Sequence, residues 1–390
     1  MSLSNNFSRS LLCIAIATTF VNATDHSQAA KKDRPVQCSR VEVLRYHRAI
    51  DKAVAFLRTK GQAPNGTFAE HTGLGVTSLV TTAIMKAGYP TDDPLVAKSL
   101  SYLEKQTKPN GGVYKKGTRY RNYETSLAIL CFSQANSDER YNKIIIDASL
   151  FLDKLQWDED EGKNPPDNSY GGAGYGKHNR PDLSNTSFFI EALKSAGNET
   201  NKQAIQKAMI FVSRCQNLES EHNTTKFSSK NPDGGFYYTP AAGGVSQAGT
   251  THTGGLRSYG SMTYAGLKSM IYAGLKKDDP RVKAALEWIR KNYDLKNNPG
   301  LGDSGLFYYY HTFAKTLDAA QIDILTDANG KKHNWRCELA NELVRQQLPN
   351  GSWVNKNSRW LEGEPALVTA YALMALSYCS ESMKPTTSPK

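Results

Sequence analysis

Gln347-Leu348-Pro349-Asn350-Gly351-Ser352-Trp353 lies between an amphipathic run that begins at Leu343 and an apolar run that ends at Leu376. The same order of amphipathic run, glycine turn and apolar helix returns along the whole chain. The turns are Asn65-Gly66-Thr67-Phe68, Asn110-Gly111-Gly112-Val113-Tyr114, Ser169-Tyr170-Gly171-Gly172, Asp233-Gly234-Gly235-Phe236-Tyr237, Asp303-Ser304-Gly305-Leu306-Phe307 and Asn350-Gly351-Ser352-Trp353. Each is followed by a threonine that opens an apolar segment: Thr77, Thr125, Thr186, Thr263, Thr312 and Thr369. Six units at a period of roughly 45 to 75 residues are the signature of a repeat architecture.

Within each unit the two helical segments differ in kind. Ile50, Val54 and Leu57 share one face of the first, as do Val282, Ala285, Leu286 and Ile289 in the fifth unit, at the 3-4 spacing of a half-buried helix. Leu127–Phe132, Phe188–Leu193 and Ala366–Leu376 are apolar nearly all round, which implies burial on every side. Two concentric layers follow, and six pairs that close on themselves form an all-α (α/α)6 toroid with no ends left to cap. The pairs Asp93-Pro94 and Asp279-Pro280 mark helix starts, with aspartate at the cap and proline at the first position. The neighbouring Asp92 and Asp278 therefore need no metal to account for them.

Residues 1–23 read as an export signal: Arg9 flanks the apolar core Leu11–Val21, which is too short to span a bilayer, and Val21-Asn22-Ala23 supplies small residues for cleavage. The expected location is periplasmic or secreted. Residues 24–40 read as a polar linker, 41–382 as the toroid and 383–390 as a tail, and no stretch qualifies as a membrane helix. The balance of 48 basic against 37 acidic residues gives +11. Those charges are scattered, without the basic run or aromatic-basic ribbon of a nucleic-acid module, so no nucleic-acid partner is expected. Of the cysteines beyond the signal, Cys131, Cys215, Cys337 and Cys379 fall in or at the end of expected helices and read as small core residues. Cys38 and Cys379 flank the two ends of the repeat array, and a Cys38–Cys379 clasp is the expected bridge if the ring is oxidised.

Gln347-x3-Gly351-Ser352-Trp353 and Gln62-x3-Gly66-Thr67-Phe68 resemble the glutamine–tryptophan repeat of squalene–hopene cyclases and protein prenyltransferase β subunits, over about residues 41–380. The resemblance implies a structural role for these residues, tying outer helices to the next repeat. It brings little of either family's chemistry. The Asp-x-Asp-Asp acid of class II cyclases is absent, the nearest string being Asp158-Glu159-Asp160, and those enzymes resemble two packed domains where this chain has one ring. Tyr310-His311-Thr312 is similar to one prenyltransferase zinc motif, but Tyr259-Gly260-Ser261 stands where the other places a carboxylate and a thiolate. No metal or other cofactor is therefore expected.

The segments before the apolar helices should converge near the axis. They carry Glu124, Asp182, Tyr310 and His311 as candidate catalytic groups, and His71, Arg121, His178, His252, Tyr259, Tyr309, Arg359, Trp360 and Glu362 as candidate ligand contacts. Helix N-termini there would add positive potential that favours an anionic ligand. The reading that follows is an exported toroid with a small-molecule or glycan ligand in its central cavity. The alternatives are a carbohydrate-active lyase or hydrolase, with carboxylates or His, Tyr and Arg at the axis, and a partner-binding ring without pocket chemistry. An aromatic and aliphatic wall would favour an isoprenoid-like guest; arginine, carboxylate and tryptophan platforms would favour sugars.

Overall fold

The amphipathic first segments form helices α1 (Arg40–Phe56), α3 (Pro94–Glu104), α5 (Asn142–Asp153), α7 (Asn201–Arg214), α9 (Pro280–Lys291) and α11 (Trp335–Gln346). The apolar segments form α2 (Leu74–Lys86), α4 (Arg121–Gln134), α6 (Leu183–Ala196), α8 (Gly260–Tyr272), α10 (Leu306–Ala319) and α12 (Pro365–Ser377). These come from a computed structural model, which describes residues 37–176, 180–197, 199 and 201–384. The signal segment and most of the linker and tail lie outside the described residues.

The even-numbered helices pack each on the next, and α12 returns to α2, so the inner layer is a closed ring of six. From Ala366 to Leu376 every residue of α12 is buried; on α9 only Val282, Ala285, Trp288 and Ile289 are. That contrast is what two layers demand, because an inner helix has neighbours on all sides and an outer helix on one.

The glycine turns are the joints of the outer layer. Gly351 sits at φ +91°, and a Cβ there would lie 2.3 Å from the carbonyl oxygen of Lys52 on α1. Only glycine allows that approach in that conformation. Gly66, Gly111, Gly171 and Gly234 press in the same way on Lys98, Asp147, Lys207 and Ala284, each on the next outer helix. Glutamines complete the joints: the side-chain amides of Gln62, Gln156, Gln216 and Gln347 donate to the carbonyls of Leu95, Ala204, Arg281 and Ala49 at 2.8–2.9 Å. Because Gly351 and Gln347 both dock on α1, the last repeat closes onto the first.

The repeat threonines lock each turn to its inner helix. The hydroxyls of Thr77, Thr125, Thr186, Thr263 and Thr369 accept from the backbone N–H of Phe68, Val113, Ala173, Phe236 and Trp353 at 3.0–3.2 Å. The fifth unit departs from the expected six-fold pattern. Thr312 bonds its own helix at Tyr308, and its turn docks inward. Pro299 accepts from the Gly260 N–H at 2.8 Å, and the Asn298 side chain accepts from the Ser261 N–H at 3.0 Å, both at the start of α8. A short hairpin, Leu325–Thr326 with Lys332–His333, then fills the path from α10 to α11.

Asp93 and Asp279 cap α3 and α9 through the N–H groups of Leu95 and Arg281, both at 2.9 Å, as their sequence context implied. The expected Cys38–Cys379 clasp is not formed. Cys38 is bridged to Cys337, with Cα atoms 5.6 Å apart. The reason lies in the layers. Cys38 precedes α1, whose outer-layer neighbour across the closure is α11, and Cys337 opens that helix. Cys379 follows an inner helix and is a buried free thiol, so only Cys337 departs from the reading of the later cysteines as core residues.

Candidate ligand chamber at the upper mouth

All six inner helices begin at one end of the ring, here termed upper, and enclose a cavity of about 460 Å³ there. A simple register places its walls. The residue two positions before each repeat threonine faces the cavity in five units: Gly75, Tyr123, Ser184, Ser261 and Leu367. In the fifth unit the corresponding residue is Tyr308, two positions further back. Tyr310, which obeys the sequence spacing, points away and donates its hydroxyl to the carbonyl of Leu295 at 2.6 Å.

Nine lining residues are aromatic: Tyr120, Tyr123, Tyr175, Phe188, Tyr238, Tyr259, Tyr308, Trp360 and Tyr371. Six of them, Tyr120, Tyr175, Tyr123, Phe188, Tyr308 and Tyr371, touch in a chain, with centroids 5.6 Å apart for Tyr123–Phe188, 6.2 Å for Phe188–Tyr308 and 5.8 Å for Tyr308–Tyr371. Val76, Met262, Leu361 and Leu367 add aliphatic surface, and no lysine or arginine is among the described lining residues. Burial raises the phenols of Tyr123 and Tyr371 and brings that of Tyr308 to about 12, so these hydroxyls are neutral donors at physiological pH.

The carboxylates serve the helix starts. Glu124 is buried and accepts from the N–H groups of Leu74 at 3.1 Å and Lys115 at 2.9 Å, tying the entry of α2 to α4. Glu362 accepts from the Tyr308 N–H at 2.8 Å and from Asn355 at 2.7 Å, capping α10. Asp182 caps α6 through the Asn185 N–H at 2.9 Å, and Glu364 caps α12 at Ala366. Burial raises Glu124 and Glu362 and brings Asp182 to about 6. The N-terminal ends of these four helices are thus already met by negative charge. Those caps reduce the positive potential that an anionic ligand would meet at this mouth.

Of the candidate residues, His71, Glu124, Tyr259, Trp360 and Glu362 line the chamber. Arg359 stands at its rim, 4.2 Å from the Trp360 ring centroid and 2.6 Å from the side chain of Gln247. Asp182 lies among the supporting groups. Arg121 packs over Tyr114, outside the chamber; His252 is on an exposed loop; Tyr309 is buried with its hydroxyl on the carbonyl of Asp294. His311 lines a different cavity, at the lower end of the ring. His178 lies outside the described residues. Tyr123, Tyr175, Phe188, Tyr238 and Tyr371 were not among the expected contacts, although the threonine register would have found Tyr123. Tyr259 and Ser261 at the upper end and His311 at the lower cannot share one ion, and no group able to hold a metal occurs among the described residues.

Residues 49–239 match the family model of the squalene-hopene cyclase C-terminal domain. Nothing among the curated proteins matches the chain. Among solved structures it is similar to the type II terpene cyclase MstE from Scytonema with merosterolic acid A as product, at 13% identity and TM-score 0.53, over 88% of this chain and 99% of that one. It is similar also to a glycosyl hydrolase of family 88 from Bacteroides vulgatus, at 9% identity and TM-score 0.52, over 88% and 99% of the two chains. A polysaccharide lyase aligns at 11% identity and TM-score 0.51, over 87% and 97%. The fold is squalene-cyclase-like, an all-α toroid. Because nearly the whole of MstE is covered by this one ring, the expectation that cyclase chemistry requires two packed domains does not hold for every member of that class.

Proposed function

We propose that the protein is an exported toroid that binds an isoprenoid-like, uncharged guest in its upper chamber. The observation that carries this reading is the wall: nine aromatic and four aliphatic side chains, with no lysine or arginine among the described lining residues. A π-rich surface attracts apolar chains and any electron-poor carbon they contain. A volume of about 460 Å³ suits a small molecule. Solved forms of MstE hold geranylgeranyl dihydroxybenzoate as substrate and merosterolic acid A as product; the isoprenoid part of such guests, rather than their acid group, is what this wall would suit. Export accords with the signal-like N-terminus and with the Cys38–Cys337 bridge, since disulfides persist in oxidising compartments. Glu124 and Glu362 are occupied as helix caps, so neither stands free as an acid, and the proposal is binding rather than a cyclisation.

The carbohydrate reading has one observation in its favour: Trp360, 43% exposed, forms an aromatic platform at the mouth beside Arg359. Titration of the purified chain with geranylgeraniol, followed by intrinsic fluorescence, separates the two. Saturable micromolar binding that Met262→Trp weakens at least tenfold is expected. Absence of saturation by any polyprenyl alcohol, together with retention of an oligosaccharide, would overturn the isoprenoid reading.

A further inference from the structure

The lower end of the ring holds a second cavity of about 400 Å³, and its chemistry is opposite. Lys86, Lys194 and Lys315 line it, with Glu191 as the single carboxylate. Glu191 on α6 is already shared. It pairs with Lys268 on α8 at 2.6 Å and with Lys315 on α10, and all three residues are buried. Asp318, which lies toward Lys86, is engaged by Arg336 at 2.9 Å.

Helix ends account for part of this charge. Lys86 and Lys194 stand in the last turns of α2 and α6, where cations complement the negative ends of the helices. Lys268 and Lys315 sit deeper, within their helices, and Glu191 matches only one of them. One positive charge is left over in a buried setting. His311, one turn before Lys315, also lines this cavity; it is 2% exposed, and its Nδ1 has no hydrogen-bond partner among the described residues. Leu79, Leu127 and Met374 supply an apolar wall.

We propose that the lower chamber is a binding site for a monoanionic carboxylate on a short apolar body. The head would be met by Lys315 and Lys86, with His311 within the same chamber as a further hydrogen-bonding group, and the body would lie against the leucines and Met374. A single negative charge is required because a single positive one is unmatched. Burial pushes both inner amines down, to about 7. Losing a proton is therefore the alternative way to discharge the site, and an occupant carboxylate would hold that proton in place.

The proposal does not rest on the upper-chamber reading, and a failed polyprenyl titration would leave it standing. The test is calorimetric titration of the full chain at pH 7 and constant chloride, with hexanoate, hexan-1-ol and inorganic phosphate as probes. Saturable one-site binding of hexanoate is expected, at least tenfold tighter than either control. Lys315→Met leaves Glu191 paired with Lys268 alone and should weaken hexanoate at least tenfold; Glu191→Gln should tighten it. Should Lys315→Met fail to fold, Lys86→Met decides, with a several-fold loss expected. No saturable heat with hexanoate, equal binding of hexan-1-ol or phosphate, or hexanoate binding unchanged in the folded lysine variants would overturn the proposal.

Discussion

The two ends of the same six inner helices are built on different physics. At the upper end, long connections arrive from the outer helices, glycine turns dock them, carboxylates cap the helix starts, and the space left is walled by aromatic rings. At the lower end the connections from α2, α4, α6 and α8 to the next outer helix are short, and the space left is walled by the helices themselves, with a lysine-rich polar set. Phe188 borders both spaces, and the His311–Tyr371 stack, with centroids 5.9 Å apart, links a lower-chamber residue to an upper-chamber one. Charge at the upper end is neutralised by backbone; at the lower end it is balanced, incompletely, by side chains. The difference teaches where mutation should hurt most: a cap removed leaves neutral donors unmet, whereas a counter-ion removed leaves charge.

The largest effect should therefore come from Glu191→Leu. It strands two ammonium groups in the core, for which a loss of about 3–5 kcal/mol is expected, read as a lower urea midpoint at unchanged slope. The matching change at the upper end, Glu124→Leu, orphans the N–H groups of Leu74 and Lys115 and should cost about 2–3 kcal/mol. If the two variants lose the same stability, the contrast between the ends is wrong.

An acid titration sharpens the contrast further. Burial, then the nearby charges of Lys268 and Lys86, push His311 down to about 3 from its ordinary 6.5. Between those values the unfolded chain binds a proton that the folded chain refuses, so stability falls as pH drops from about 6.5 toward 3. His311→Phe should remove that contribution and flatten the slope by up to about 1.4 kcal/mol per pH unit. The difference between the two proteins isolates this residue, because Asp182 and the other carboxylates are common to both. An unchanged slope would mean that His311 is not held neutral by its burial and by the charges of the lower end.

These contrasts were unevenly legible in the sequence. The closed ring was readable because each of its joints is local: glutamine, glycine, aromatic ring and threonine recur at short spacing, the glutamine and glycine reaching the next outer helix and the threonine tying the turn to its own inner helix. The upper chamber was half readable. Its location followed from chain order, but the aromatic wall depends on which helix face turns inward, and the two-residue offset before each threonine shows only once a repeat's orientation is known. Tyr310 misled because the cavity-facing residue of the fifth unit lies two positions earlier, where Asn298 docks inward on α8, and no local motif announces that. The lower chamber was not readable at all. Glu191, Lys268 and Lys315 come from three repeats, and each alone resembles an ordinary polar position on a helix. The bridge of Cys38 to Cys337 was missed for the same reason, since which outer helix borders α1 is a property of the closed ring.

The smallest expected effect concerns the mouth of the upper chamber. Trp360 and Leu361 both lie in the left-handed region, at φ +55° and +65°, and both are exposed. Two consecutive side chains held there store strain that burial does not offset. Trp360 rests against the start of α10, where a Cβ on Gly305 would come within 3.0 Å of its ring. The strain thus keeps an indole at the opening of the chamber. Replacing Leu361 by glycine removes one strained residue, and after the greater freedom of glycine in the unfolded chain is subtracted, a gain of about 0.5 kcal/mol is expected. The same change should loosen the indole and weaken polyprenyl binding a few-fold. Unfolding curves and the fluorescence titration read the two quantities separately. A stabilised variant with weakened binding identifies the bend and the lining side chain it presents as features kept for the ligand; loss of stability with unchanged binding would show that the bend serves only the packing of the loop.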